Sequence, residues 1–301
     1  MPRAAFFSVV WVILLLSSGI ACDVAVPASL PSGADLSAPD GIDPQSPNIE
    51  RSTKIVDFSD VRSIRLELPV GRVSVTQSDG QASATLRVAE IITREGLNVE
   101  QLTDLLNQTR VTAERAFVDD ERLDVEATIA PELSDEDVLF DVRLVVPTGA
   151  NLEVFVGNGP VEVVDLTGNV EIRTQNGAVE VSNVIGDVTT KTTQRTIAIT
   201  DVTGDVSADT TEADVDLRLD PGLDGRISAS TTTGEIRLMV PKTTAARVML
   251  LSENGTVSAN LNGFAVTDIS TSAGFLEGTL NGGGGAIELK SLSGGISFLG
   301  M

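Results

Sequence analysis

The sequence predicts an all-β fold: a single-stranded, β-helix-like solenoid of about 18 residues per rung, with one short helix in its N-terminal part. Two patterns support this prediction. Glycine recurs at a fixed interval through the second half of the chain, and between the glycines branched aliphatic residues alternate with polar ones. The 301 residues, of which 42% are hydrophobic, suffice to bury a substantial core.

The glycine pattern is a nine-residue grid in which each unit has the form Gly-x-Val-x-Val. Glycine permits the positive φ angles that a chain needs at tight corners. The grid consists of Gly159, Gly168, Gly177, Gly186 and Gly204, with Arg195 and Ala213 at two further grid points, and looser copies begin at Gly225, Gly234, Gly255, Gly285 and Gly295.

Aligning the chain in blocks of 18 residues places branched aliphatic side chains in columns, with polar residues between them. Period-two alternation that is interrupted by glycine every nine residues excludes an amphipathic helix and favours stacked strands with an inner and an outer face. A tightly wound β-sandwich is the alternative that this pattern leaves open. The columns are Val161, Val179, Ile197 and Val215; Val163, Val181, Ile199 and Leu217; and Val170, Val188 and Val206.

Residues 151–301 form the predicted repeat, and residues 51–150 are expected to be a β-rich part that caps its first rungs. The helix is predicted at about 98–109. Asn98 and Gln101 have the spacing of a capping box. The apolar face of that helix is Val99, Leu102, Leu105 and Leu106, and the strand-like runs are 64–68, 72–76, 84–91, 123–129 and 138–146.

The first 21 residues have the pattern of an export signal: Arg3, an apolar run to Leu16, and small residues before Cys22. The segment Gly-Ile-Ala-Cys resembles a bacterial lipobox, in which the cysteine becomes the acylated N-terminus. Residues 22–50 contain five prolines and no apolar period, which predicts a disordered tether. The expected partner of this region is a bacterial membrane, contacted through lipid on Cys22, with the domain in the periplasm or on the cell surface.

The stretch from Leu144 to Val181 resembles a bacterial adhesin-like family of β-strand-repeat domains. In that family a Val-Pro-x-Gly strand leads into repeats of the form Thr-x-Asn-Gly-x-Val-x-Val-x-x-x-x-Gly. The match extends over about 55–300 and includes the glycine run before the last strand pair. The resemblance implies the fold and an envelope location, and it supplies no catalytic residues.

Composition argues against several functions. A formal net charge of −22 disfavours nucleic acid as a partner. The chain has no histidine and lacks the full Gly-Gly-x-Gly-x-Asp repeat of calcium-binding β-rolls. We therefore expect no catalytic residue, no cofactor and no metal site. The recurring Asp165, Asn183 and Asp201 are interpreted as turn residues that cap backbone amides.

Residues 291–301 carry no charged side chain and no proline. Two interpretations follow. The last strand packs into its own rung and buries Phe298 and Leu299, which is the favoured interpretation. The alternative is an open edge at Ile296, Phe298 and Leu299, through which a partner strand or a second copy adds.

The leading functional hypothesis is a non-enzymatic envelope lipoprotein that presents a rigid solenoid as an adhesin or scaffold, with a protein or polysaccharide as its partner. The alternative is a self-assembling envelope polymer that resembles bactofilin-type β-helices. A carboxylate-dependent β-helix glycosidase is the third hypothesis, and the sequence nominates no carboxylate pair for it.

Overall fold

The computed structural model describes residues 48–301 except 79, 81, 82, 118, 120 and 223, and within these residues the strands form two sheets and the chain forms one helix, α1 (Val99–Gln108). In spatial order, sheet A contains β1 (Asn48–Ser59), β4 (Ser83–Thr93), β7 (Val138–Val146), β3 (Arg72–Gln77), β9 (Val161–Thr167), β11 (Val179–Ile185), β13 (Ile197–Thr203), β15 (Val215–Arg218), β17 (Ile236–Val240), β23 (Ile296–Gly300) and β19 (Val257–Asn260). Sheet B contains β20 (Val266–Ser272), β21 (Phe275–Leu280), β18 (Ala246–Ser252), β22 (Gly285–Ser291), β16 (Arg226–Thr231), β14 (Val206–Asp209), β12 (Val188–Lys191), β10 (Val170–Asn176), β8 (Asn151–Asn158), β2 (Ser63–Val70), β6 (Arg122–Thr128) and β5 (Arg110–Arg115).

From β8 to β19, successive strands alternate between sheet B and sheet A, so two strands make one rung. The rungs stack in parallel. Val179 of β11 pairs with Val161 of β9 on one side and with Ile197 of β13 on the other, a shift of 18 residues at each step. The predicted solenoid and its rung length are therefore confirmed.

The core lies between the two sheets and is formed by the predicted aliphatic columns. Val163, Val181 and Ile199 point inward from sheet A and are fully buried, and Val170 and Val188 face them from sheet B. Branched aliphatic side chains suit this position because they pack well on a pleated surface that is covered on one side. Burial of these columns stabilises each rung against its neighbours.

Glycine is required at the corners for two reasons, as Gly186 shows. Its φ is +150°, a conformation that L side chains rarely adopt. In addition, a Cβ added there would lie 2.2 Å from the carbonyl oxygen of Gly168, one rung away. Glycine thus supplies both the backbone angle and the close approach of successive rungs.

The predicted capping residues take a different role. Asp165, Asn183 and Asp201 have φ between +53° and +55° and bend their strands, and the Asn183 side-chain amide donates to the Asp165 carboxylate. The backbone amides are capped by a different column instead. The side chains of Asn151, Asn169, Asp187 and Asp205 each accept a hydrogen bond from a backbone N–H one rung further on, at 2.9 to 3.0 Å.

The N-terminal part contains strands at one end of each sheet, and its folded region begins before residue 51. β1 starts at Asn48, inside the last three residues of the segment expected as a tether, and neither β1 nor β5 was predicted. β1, β4 and β7 pair antiparallel, and β7 joins the parallel stack through β3. The signal segment, Cys22 and the tether up to residue 47 lie outside the described residues.

The helix has the predicted capping box. Gln101 N–H donates to the Asn98 side chain, and Asn98 N–H donates to the Gln101 side chain. α1 packs against β1 and β4 with Leu102, Leu105 and Leu106 buried. Val99, which was expected on the apolar face, is 42% exposed because it occupies the first helical position.

The last rung, β22 and β23, does not lie at the end of the stack. It sits between the rung of β16 and β17 and the rung of β18 and β19. After β19 the chain forms β20 and β21, and β21 pairs antiparallel with both β20 and β18. Residues 285–300 then enter the gap between the two rungs. The strands at the outer edges of the two sheets are β1, β19, β5 and β20.

The expectation of an open edge at β23 is therefore wrong, because this strand is paired on both sides. Ile296 and Phe298 are buried, as the favoured interpretation of this segment predicted for Phe298. Leu299 is 39% exposed, in contrast to that interpretation, because it alternates with Phe298 and lies on the opposite side of the strand.

Candidate functional site

Of the four residues that the sequence nominated, the structure describes three, and these three do not line a common pocket among the described residues. Cys22 lies outside the described residues. Ile296 and Phe298 are part of the core, and Leu299 lies on the outer face of sheet A. The described residues contain no group of three or more His, Cys, Asp or Glu side chains placed to hold a metal ion.

A cleft lies on the outer face of sheet B, where β2, β6, β8, β10 and β12 run side by side. Its volume is about 620 Å³, within the usual range of ligand-binding clefts. We call it the Phe155 cleft. It is lined by Glu67, Leu68, Pro69, Glu126, Ala127, Phe155, Val156, Gly157, Arg173, Thr174, Gln175, Lys191 and Thr193.

The cleft exists because an outward position of β8 carries no side chain. Positions 153, 155 and 157 of β8 face outward, and they hold Glu153, Phe155 and Gly157. At Gly157 an added Cβ would lie 2.2 Å from the carbonyl oxygen of Pro69 on β2. The close approach of these two strands therefore requires glycine, and the missing side chain leaves a depression beside the Phe155 ring.

The Phe155 ring is held by two cations. The guanidinium carbon of Arg65 on β2 lies 5.2 Å from the ring centroid, and that of Arg173 on β10 lies 5.5 Å away. Both distances fall within the range of cation–π contacts. Arg65 also pairs with Glu67 at 3.2 Å and Arg173 with Glu171 at 2.5 Å, so the walls of the cleft are fixed by side-chain contacts.

The negative and positive side chains of the cleft lie on opposite sides of the Phe155 ring. Strand register places five outward-facing residues in one row, which we call the cleft row: Glu126, Glu67, Phe155, Arg173 and Lys191. Two carboxylates lie on one side of the aromatic ring and two cations on the other. A ligand with separated positive and negative groups is complementary to this order.

A second polar feature lies in the N-terminal part of sheet A and is structural. Glu90 of β4 is 2% exposed, pairs with Arg51 of β1 and accepts a hydrogen bond from the backbone N–H of Val111 at 3.0 Å. Burial raises the pKa of Glu90, and the Arg51 guanidinium and the hydrogen bonds lower it in part. The Arg51 guanidinium also donates to the carbonyl of Thr109, so this pair joins β1, β4 and the end of α1.

Sequence reasoning missed the Phe155 cleft, although β8 carries a signal for it. Many outward positions of the repeat are polar or charged, whereas the sequence Phe155-Val156-Gly157 places an aromatic ring and a glycine at two successive ones. An aromatic residue that faces solvent beside a glycine marks a surface depression. The cations of the cleft row come from neighbouring rungs, and the 18-residue period places Arg173 and Lys191 opposite each other.

Comparison with known proteins gives low similarity to solved structures. A candidate cell adhesion protein from Clostridium sporogenes ATCC 15579 is 12% identical, with a TM-score of 0.32, covering 84% of this chain and 100% of that one. A candidate lipid binding protein from Parabacteroides distasonis ATCC 8503 is 11% identical, with a TM-score of 0.35 and coverages of 82% and 96%. A candidate adhesin from Bacteroides fragilis NCTC 9343 is 12% identical, with a TM-score of 0.31 and the same coverages.

No curated protein matches the chain significantly. Across the part of the chain that the structure describes, no helix is long and apolar enough to cross a membrane. The sequence profile of the Toastrack DUF4097 family matches residues 56–298, from β1 to β23. The chain therefore belongs to the Toastrack DUF4097 family.

Proposed function

We propose that this protein is a non-enzymatic envelope lipoprotein that is anchored through Cys22 and presents its solenoid to a partner, as an adhesin or scaffold. The Phe155 cleft is the observation that supports this proposal. Its walls are an aromatic ring, guanidinium and ammonium groups, carboxylates and an amide, which are groups that orient and hold a ligand. They stand on strands that are paired on both sides, so the binding face is preorganised.

The sequence supports the anchoring step. Cys22 is the only cysteine of the chain and follows the apolar segment after five mostly small residues, at the position where a lipobox has its acylated residue. The segment up to residue 47 is rich in proline, so it would separate the solenoid from the membrane by an extended linker. This arrangement would leave the outer face of sheet B accessible to a partner.

The test combines anchoring with exposure. In the native bacterium, the wild-type chain with an epitope tag is expected in the membrane fraction and in the detergent phase of a phase separation. Cys22→Ser is expected to leave the detergent phase, since the thiol that carries the lipid is lost. Equal partitioning of the two chains would contradict the lipid anchor.

Exposure is measured by adding protease to intact cells, with lysed cells as the control. Digestion on intact cells is the result expected for a protein that captures a partner at the surface. Protection until lysis would contradict adhesion to another cell and leave the scaffold role inside the envelope.

A further inference from the structure

We infer that the Phe155 cleft binds a short, extended peptide that carries a cationic and an anionic group, with the ammonium near Glu67 and Glu126 and the carboxylate near Arg173 and Lys191. This inference rests on the proposed function, because it specifies the ligand of the same binding face. The order of charges, their spacing and the polar groups between them each support it.

The order of charges selects against a ligand of one sign. A uniformly anionic chain such as an acidic polysaccharide would be attracted by Arg173 and Lys191 and repelled by Glu67 and Glu126. The net charge of −22 would repel it further. A zwitterionic chain meets an opposite charge at both ends of the cleft row. Both of its ends are therefore attracted, whereas a polyanion is repelled at one end.

The outermost charges of the cleft row are available to a ligand. Among the described residues, neither Glu126 nor Lys191 takes part in an ion pair within 4.0 Å. The carboxylate beside Lys191 in the register is Asp209, which accepts a hydrogen bond from the Ser230 hydroxyl at 2.5 Å. No ion pair within 4.0 Å joins this carboxylate to Lys191 among the described residues.

The spacing of these charges corresponds to a short extended peptide. Glu126 and Lys191 are four inter-strand steps apart, which is about 19 Å at the usual strand separation. Seven residues in extended conformation span about 20 Å between their first and last Cα atoms, and the side chains of the first and seventh residues lie on the same face.

The groups in the middle of the cleft suit peptide chemistry. Gln175 and Thr193 are exposed beside Gly157 and offer an amide and a hydroxyl to the peptide groups of a ligand. Pro69 and the rim of the Phe155 ring provide apolar surface for small side chains. A linear chain that combines ammonium, amide and carboxylate groups is a peptide.

The test uses four probes of similar length, each labelled with an uncharged dye, and fluorescence anisotropy of the full chain in detergent at low ionic strength, where exposed charges are least screened. The first probe is Lys-Ala-Gly-Ala-Gly-Ala-Glu-amide, with the dye attached through an amide bond to its N-terminal amine. The second carries glutamate at both ends, the third carries glutamine at both ends, and the fourth is tetragalacturonate, an anionic oligosaccharide. The zwitterionic peptide is expected to bind at least about fivefold more tightly than each of the others.

Two charge reversals give the sharper comparison. Glu126→Lys and Lys191→Glu are each expected to weaken binding of the zwitterionic peptide about fivefold, since one end then meets a like charge. The double variant is expected to bind this peptide more weakly than either single variant, because Glu67 and Arg173 keep their charges and neither orientation of the peptide meets opposite charges at both ends. The control for Lys191→Glu is Lys290→Glu. Lys290 lies on β22, in the same register row of sheet B as Lys191 but away from the cleft, so its reversal is expected to leave binding unchanged.

Three outcomes would overturn the inference: no binding of the zwitterionic peptide, equal binding of the doubly anionic or neutral peptide, or tightest binding of tetragalacturonate. Tighter binding by the double variant than by both single variants would also count against it. Both substituted side chains are exposed, so the fold is expected to persist, and circular dichroism checks this. These binding results are independent of the partition and protease experiments, so a wrong ligand class is distinguishable from a wrong location.

Discussion

At the scale of single residues, Glu90 shows how a buried charge can organise a cap. Its carboxylate is almost fully buried, yet it accepts hydrogen bonds from the Arg51 guanidinium and the Val111 N–H. The ionised form therefore has hydrogen-bond partners in the core. Burial nevertheless raises its pKa above the ordinary value. The native state therefore holds a proton on Glu90 up to a higher pH than the unfolded chain does.

This difference gives a pH prediction. As pH rises from the unfolded-state pKa through the raised folded-state pKa, the wild-type protein loses stability at Glu90, whereas Glu90→Gln has no proton to lose. The free energy of unfolding of Glu90→Gln minus that of the wild type is therefore expected to increase from pH 4 to pH 7, as measured by denaturant unfolding.

The matched control is Glu50→Gln, which removes an exposed carboxylate from the same strand pair. Its difference from the wild type is expected to change less over the same pH range. Parallel stability curves for Glu90→Gln and the wild type would show that the ionisation of Glu90 is not coupled to folding.

At the scale of elements, the corner glycines set the distance between rungs. The carbonyl of Gly168 occupies the space that a side chain at position 186 would need, and the same relation links Gly204 to Gly186. Each corner is thus packed against the backbone of the preceding one. The repeat is intolerant of side chains at these positions because backbone, unlike a flexible side chain, cannot move aside locally.

Gly186→Ala is therefore expected to lower the free energy of unfolding by about 3 kcal/mol, since it adds both backbone strain and a steric clash. Gly149→Ala is the control. Gly149 also has positive φ, at +84°, but nothing lies within 4 Å of its added Cβ, so a loss of about 1 kcal/mol is expected. Equal losses in thermal or denaturant unfolding would mean that the close approach of rungs contributes nothing.

The period of the sequence was sufficient to predict the strands and the register of the regular 18-residue blocks. Val161, Val179 and Ile197 stack as predicted because interior side chains and corner glycines are both read directly from a parallel repeat. β1 was missed because its residues mix charged, polar and apolar side chains without clean alternation, and because β2 and β3 separate it in sequence from its partner β4. The cleft required the sheet order, which brings β6 next to β2 across more than 50 residues of chain.

At the scale of the whole molecule, the order of rungs departs from the order of the chain. Ile296 pairs with Ile236 on one side and with Val257 on the other, so the last rung joins two parts of the stack that do not otherwise pair. A strictly sequential reading of the repeat would have placed this rung at the end. Sequence periodicity encodes that a segment is a rung, whereas its neighbours are decided by loops and by packing.

Ile296→Asp is expected to prevent this rung from seating, because it places an unpaired charge in the core, at a cost of about 3 kcal/mol or more. Hydrogen exchange should then rise in both neighbours, β17 and β19, while β9 and β11 remain protected. Ser297→Asp, an outward position beside Arg237, is the control and should change little. A rise confined to β19 would contradict the observed rung order.

The interleaved rung also determines how the protein can fold while the chain is being synthesised. Residues 285–300 pair with strands about 60 residues earlier, so closing this part of the stack requires a long loop to form first. A chain that emerges from its N-terminus can complete the rungs up to β17 before residue 296 has emerged. During that interval β16 and β17 present unpaired parallel edges, which makes the emerging chain prone to aggregate. The speed at which the chain emerges, as well as its sequence, thus becomes a determinant of the yield of native protein.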